Sequence, residues 1–148
     1  ETLIPDFKGR LQDIQPIIDV APEVVSHNVE TVRRLTKKVR IQAKYDRSLD
    51  TLRFLYEGGI KTKSGIMLGL GETEDEVIET MRDLRKVGVQ IVTIGQYLQP
   101  TKKHLPVFEY ITPEQFKKYE EIGKLLGFRH VESGPLVRSS YHAEKHIH

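Results

Sequence analysis

The chain has 148 residues and a mass of 17.1 kDa, 38% of them hydrophobic and 30% charged, which suits one globular core and excludes a disordered chain. Lys and Arg number 23 against 21 Asp and Glu, a net charge of +2 too balanced to argue for nucleic acid, and no apolar run approaches the roughly 20 residues of a bilayer crossing. Because there is no cysteine, a disulfide framework, a thiolate zinc site and an iron–sulfur cluster held by this chain alone are excluded. The chain opens on Glu1 without a basic or long apolar leader, which predicts a cytoplasmic setting.

In chain order, Leu3 and Ile4 form a short apolar run halted by Pro5 and Asp6, the end of a strand that begins at or before residue 1. Leu11, Ile14, Ile17 and Ile18 follow helical spacing, disturbed by Pro16, and residues 23–27 read as a second strand. A helix is expected from Glu30 to Lys38, and another N-capped by Ser48 with Leu49, Leu52 and Leu55 inward, ended by Gly58 and Gly59. The run 64–71 has the form of a strand buried on both faces. Thr73 and Glu76 then make a capping box ahead of Val77, Met81 and Leu84, and Gly88 ends that helix. Residues 89–95 are a further buried strand, Thr112, Pro113 and Gln115 open a last helix with Phe116, Tyr119, Ile122 and Leu126, and residues 128–132 read as extended. Three or four strands joined by helical crossovers predict an open parallel α/β sheet or part of a (βα) barrel, with no linker or repeat dividing the chain.

Ligands of such folds bind beyond the carboxyl ends of the strands. The residues there are Asp6; His27, Asn28 and Glu30; Gly69, Gly71 and Glu72; and Gly95, Gln96, Tyr97 and Gln99. They line one pocket, or they are ordinary polar loop residues, with Glu72 merely facing the positive end of the next helix. Gly65, Gly69 and Gly71 lack the lysine of a P-loop and the dinucleotide spacing; glycines in a buried strand instead let a flat ring approach the backbone. Ser139, Ser140 and His142 sit without an acidic orienter or a nucleophile elbow, so hydrolysis is disfavoured. His142, His146 and His148 read as a polar tail before they read as a metal site. Arg33, Arg34, Lys37, Lys38 and Arg40 form a basic helix face, with Lys102, Lys103 and His104 as a second basic spot; each is a solvated surface or a contact for an acidic protein.

Five segments, ETLIPDFKGR, SHNVETV, TKSGIMLGLGE, GQYLQP and above all GPLVRSSYHA, resemble in the same order the lipoyl synthases, a family of radical S-adenosylmethionine enzymes. The similarity runs from Glu1 to about Ala143 and covers only the C-terminal half of the family pattern. It implies an α/β fold, the C-terminal portion of a parallel-stranded partial TIM-type (βα) barrel over 1–148, with a C-terminal helix and a tail 134–148 carrying RSSYHA. It further implies hydrogen abstraction from an octanoyl chain on a lipoyl domain or carrier protein, followed by insertion of two sulfur atoms. The cofactors implied are S-adenosylmethionine and two four-iron four-sulfur clusters, held in the family by cysteine triplets upstream of the stretch resembling ETLIPDF. Both triplets are absent here, so this chain alone is expected to be inactive and to need the N-terminal half of the same enzyme.

Matched residue by residue, the serine that ligates the auxiliary cluster is Ser140. The stretch from Gly65 to Glu72 resembles a pattern G-x-I-x-G-x-x-E that supports the cofactor: Gly65, Gly69 and Glu72 fall on it, Gly71 lies within it, and Met67 replaces its isoleucine. Asn28, Glu30, Gln96 and Tyr97 are cofactor or substrate candidates by rim position, and Arg138 is a candidate for orienting substrate or the tail. The alternatives are a non-enzymatic half-barrel subunit or adaptor that needs a partner chain, and an unrelated α/β enzyme.

Overall fold

A computed structural model describes residues 1–5, 10–20, 22–39 and 44–138. Five parallel strands, β1 (Thr2–Leu3), β2 (Val24–Ser26), β3 (Lys61–Leu68), β4 (Ile91–Gln96) and β5 (His130–Gly134), form one sheet in the order β1-β2-β3-β4-β5. Between them lie α1 (Gln15–Asp19), α2 (Thr36–Val39), α3 (Tyr45–Glu57), α4 (Glu74–Lys86) and α5 (Pro113–Leu125), with single 3-10 turns at Leu11–Asp13 and Arg33–Leu35. Spatial order equal to chain order means that the chain always winds the same way. This is a barrel wall, not a doubly wound sheet, whose order reverses at a switch point.

The helices cover one face. Val92 and Ile94 of β4 and Ile66 and Leu68 of β3 pack with Leu52 of α3, Val77, Met81 and Leu84 of α4, and Phe116 and Tyr119 of α5. A smaller cluster joins Ile4, Val25, Leu55 and Ile60. Val77, Met81 and Leu84 are fully buried, each stabilising the fold by about 1.5–3 kcal/mol. The Thr73–Glu76 capping box is formed in both directions. At α5, Thr112 accepts from the Gln115 amide, while the Gln115 side chain donates to Glu74 (2.7 Å) and ties α5 to α4.

Several boundaries differ from the sequence reading, each for a tertiary reason. The described residues hold five strands, because residues near 130 complete the ladder with β4 from Ile91↔His130 to Gly95↔Gly134. β3 starts three residues early, since Lys61 and Thr62 pair with Val24 and Val25, and the Lys63 ammonium meets Glu1 at 3.1 Å. Pro16 lies in the first turn of α1, where its missing N–H is harmless, after a separate 3-10 turn. Glu30 begins no helix: it bridges to Ile66, and helical geometry starts only at Arg33. Ser48 is not an N-cap but an interior residue of α3, whose hydroxyl lies 2.9 Å from His27 Nε2. The helix is drawn back to Tyr45 by the phenol, which donates to Asp83 (2.8 Å) while the Arg33 guanidinium stacks 4.4 Å above the ring.

Candidate active site

Side chains alternate along a strand, so the residues between those packed on helices point to the opposite, concave face. There the ladders align Lys63, Ile91 and His130 in one row, Gly65, Thr93 and Glu132 in the next, and Met67, Gly95 and Gly134 in a third. Parallel sheets are normally covered on both faces by apolar layers. This face instead carries three glycines, Thr93, Lys63, His130 and Glu132, with Ile91 and Met67 as the apolar side chains of these rows. At its lower end a cavity of about 350 Å³ is lined by Glu1, Lys63, Ile91, Arg129, His130 and Glu132, away from the strand-end rim.

The rim after β2 is bent. Ser26 pairs with Lys63 but Glu30 bridges to Ile66, so one extra residue is accommodated between them, a bulge of the kind that re-aims side chains. The Ser64 hydroxyl takes up the Val29 amide at 3.1 Å, and Glu30 adopts φ +72°, a left-handed conformation that a non-glycine residue holds at a cost of about 1–3 kcal/mol. His27 and Val29 both turn into the interior. The His27 ring sits between the Ile4 carbonyl (2.9 Å) and Ser48, a structural role. Asn28, between them, is 5% exposed and its Oδ1 has no hydrogen-bond partner among the described residues.

The rims after β3 and β4 hold each other. The Glu72 carboxylate accepts the Gly69 and Leu70 amides, one on each oxygen, both at 3.0 Å, which clamps the turn leaving β3. Gly69 has φ +96°, and a Cβ there would collide with Gln96 Nε2 and the Glu109 carbonyl oxygen. Its own carbonyl accepts the Phe108 (2.8 Å) and Glu109 (3.3 Å) amides. The room left by this glycine is therefore filled by the protein's own chain, not held open for a ring. Gln96 donates to the carbonyls of Tyr97 and Glu109 (3.0 Å each) and accepts from the Ile111 amide (2.9 Å). Tyr97 donates its hydroxyl to the Leu105 carbonyl at 2.6 Å, and burial pushes the phenol pKa up. Both side chains fix the loop 97–111.

Of the remaining candidates, Gly65 lies on the concave face, its carbonyl accepting the Glu30 amide at 3.0 Å. Gly95 is overlain by the Val137 carbonyl, so residues 134–138 turn back across the end of β4. Arg138 is exposed and donates to the Pro135 (3.3 Å) and Val137 (3.1 Å) carbonyls of its own loop. Asp6, Arg40, Ser139, Ser140, His142, His146 and His148 lie outside the described residues. The basic face is partly used internally: Arg33 pairs with Asp46 (2.7 Å), and Arg34 grips Glu76 through Nε (2.8 Å) and Nη2 (2.9 Å) while donating to the Gly71 carbonyl (2.8 Å). The guanidinium holds the Glu76 carboxyl down at about 2.

Thr93 was not among the sequence candidates. It stands between Gly65 and Glu132 on the concave face, is 2% exposed, and its hydroxyl has no partner among the described residues. The residue was legible in principle, because Ile91, Thr93 and Gly95 alternate with Val92 and Ile94.

The model of the Radical SAM superfamily matches residues 3–84, more than half of the chain. The chain belongs to the radical SAM superfamily. It is 75% identical over 148 residues to a lipoyl synthase of Flavobacterium psychrophilum, covering 99% of this chain and 51% of that protein. To a mitochondrial lipoyl synthase of Nematostella vectensis it is 74% identical over 149 residues, 100% of this chain and 51% of the relative. A lipoyl synthase of Bacteroides fragilis is 60% identical over 147 residues, with 99% and 51% covered. The chain thus spans about half the length of the curated relatives it matches.

Membership in the radical SAM superfamily implies S-adenosylmethionine and a four-iron four-sulfur cluster. The residues fit the first: an unpartnered amide oxygen at Asn28 and an unpartnered hydroxyl at Thr93 are buried polar atoms of the kind a polar ligand satisfies, and glycine at 65 keeps the intervening strand bare. They do not fit the second. The chain has no cysteine, and among the described residues no group of three or more His, Asp or Glu is gathered to hold a metal.

Proposed function

We propose that this chain is the C-terminal part of a lipoyl synthase, which inserts two sulfur atoms into a protein-bound octanoyl group to form the lipoyl cofactor. The observation that carries this reading is the identity to lipoyl synthases along the whole chain, at 74–75% in two of them. The architecture agrees with it: a barrel wall with a polar concave face and, among the described residues, unpaired outer edges at β1 and β5, where further strands of the whole protein would add.

On this reading S-adenosylmethionine binds against the concave face and supplies the hydrogen-abstracting chemistry. Asn28 Oδ1 accepts a hydrogen bond from it, Thr93 Oγ1 donates or accepts one, and Gly65 leaves the backbone between them approachable. Glu30, held by the β2 bulge, and Met67 border the same place. Glu72, Gly69, Gly71, Gln96 and Tyr97 are positioning residues: they set the turn after β3 and the two ends of the loop 97–111 at the rim. Arg138 steadies the turn 134–138 that leads into the tail. Ser140 would offer a hydroxyl to an auxiliary cluster whose thiolates come from outside this chain, an oxygen being a weak ligand for iron beside thiolates.

The test is mass spectrometry of an octanoylated lipoyl domain after incubation with the full-length protein, reconstituted with iron and sulfide, S-adenosylmethionine and a reductant. The expected product carries two added sulfurs, and Ser140→Ala abolishes it while cofactor cleavage persists. Cleavage with an unchanged lipoyl domain in the wild type would contradict the assignment.

A further inference from the structure

The loop 97–111 leaves the rim, projects from it, and returns. It is pinned at both ends: the Tyr97 amide donates to the Leu68 carbonyl (2.8 Å), and at the far end Gln96 takes the Ile111 amide and the Gly69 carbonyl takes Phe108 and Glu109. Its tip is braced internally. Tyr97 donates to the Leu105 carbonyl, Gln99 Nε2 to the His104 carbonyl (2.9 Å), and the Thr101 hydroxyl accepts from the Lys103 amide (3.2 Å) and lies 2.8 Å from His104 Nδ1. A long loop this heavily bonded to itself does not have to be ordered when it binds something. Yet it exposes large apolar groups: Phe108 is 74%, Tyr110 71% and Leu98 49% exposed. Lys102 and Lys103, both exposed, have no ion-pair partner among the described residues, unlike Arg33 and Arg34. A rigid segment that presents exposed aromatic groups and, elsewhere along it, unneutralised cations has the make-up of an interface centre with a charged rim.

We infer that the loop 97–111 is a docking surface for a folded protein with an acidic face, and that its occupant is the protein that carries the acyl chain. Its place decides the occupant. Phe108 lies against Gly71 at the strand-end rim, so a protein seated on Phe108 stands at the end of the sheet where the concave face opens. Lys102 and Lys103 attract the acidic face and set its orientation. The inference rests on the lipoyl synthase reading for the identity of the cargo.

The experiment compares full-length wild type with Lys102→Glu/Lys103→Glu and with Phe108→Ser, using two probes: an octanoylated lipoyl domain and a short octanoylated peptide. Both variants are expected to raise the KM for the domain about tenfold and to leave the peptide reaction and S-adenosylmethionine cleavage unchanged. The charge reversal is also expected to flatten the salt dependence of domain binding, read by fluorescence anisotropy. Unchanged binding of the domain, equal losses with domain and peptide, or a wild-type dimer in sedimentation that Phe108→Ser dissolves would each overturn the dock. If wild type binds the domain through these residues but inserts no sulfur, the dock stands and the reaction assignment falls. Sulfur insertion with binding indifferent to the substitutions gives the reverse.

Discussion

Replacing Gly69 by alanine separates two reasons for a glycine. Gly59, just past α3, has φ +86° and open space where a Cβ would go, so Gly59→Ala meets backbone strain alone, about 1–2 kcal/mol. Gly69 has a similar φ of +96°, but its added Cβ falls on Gln96 Nε2 and the Glu109 carbonyl. The backbone oxygen cannot give way without moving the loop, so Gln96 must swing out and surrender its bonds to Glu109 and Ile111, at roughly 1 kcal/mol each and more for any polar group left buried. Gly69→Ala therefore destabilises by about 3–5 kcal/mol, some 2–3 kcal/mol beyond Gly59→Ala. Urea denaturation of the full-length variants measures the difference, and limited proteolysis reports whether 97–111 becomes cleavable in the Gly69 variant alone. Equal destabilisation by the two substitutions, with the loop still protected, would refute the idea that this glycine exists for a close approach of the protein's own chain.

The ion pair between Arg34, in the 3-10 turn before α2, and Glu76 of α4 gives a pH dependence. Arg34 holds Glu76 below its ordinary 4.5, at about 2, so the stabilisation is fully present above pH 4.5 and fades as the pH falls toward 2. The stability gap between wild type and Glu76→Gln is expected to close over that window in acid titrations followed by circular dichroism; a gap constant with pH would contradict it. Thr73→Ala is expected to lower stability by about 1 kcal/mol or more, and Thr112→Ala by less, because only the first cap is answered by its partner. Thermal melts showing the opposite order would sink that comparison.

What was legible in the sequence follows from how local its cause is. The α4 unit, from the Thr73 cap through Val77, Met81 and Leu84 to Gly88, depends on spacings within one helix and stands as read. The early start of β3 was hidden because Lys61, Thr62 and Lys63 look like loop residues until β2 and Glu1 arrive to pair with them. Ser48 resembled a cap, and only the buried His27, contributed from 21 residues upstream, shows why a hydroxyl is needed there. At the rim, the polar character of Glu72 and Gln96 was visible, but their partners are backbone groups of the neighbouring loops. Thr93 hides in a run that reads as apolar on both faces, although its alternation with Val92 and Ile94 marks the concave side.

On the reading proposed above, S-adenosylmethionine completes the buried polar atoms of the concave face, and Thr93→Val in the full-length protein shows whether it does. Valine keeps the shape and removes a hydroxyl that no described residue satisfies, so thermal stability without ligand should hold or rise. The dissociation constant for S-adenosylmethionine, measured by equilibrium dialysis, should increase about tenfold, the equivalent of one lost hydrogen bond of about 1.4 kcal/mol. An unchanged constant, or a variant that loses stability without ligand, would contradict the account.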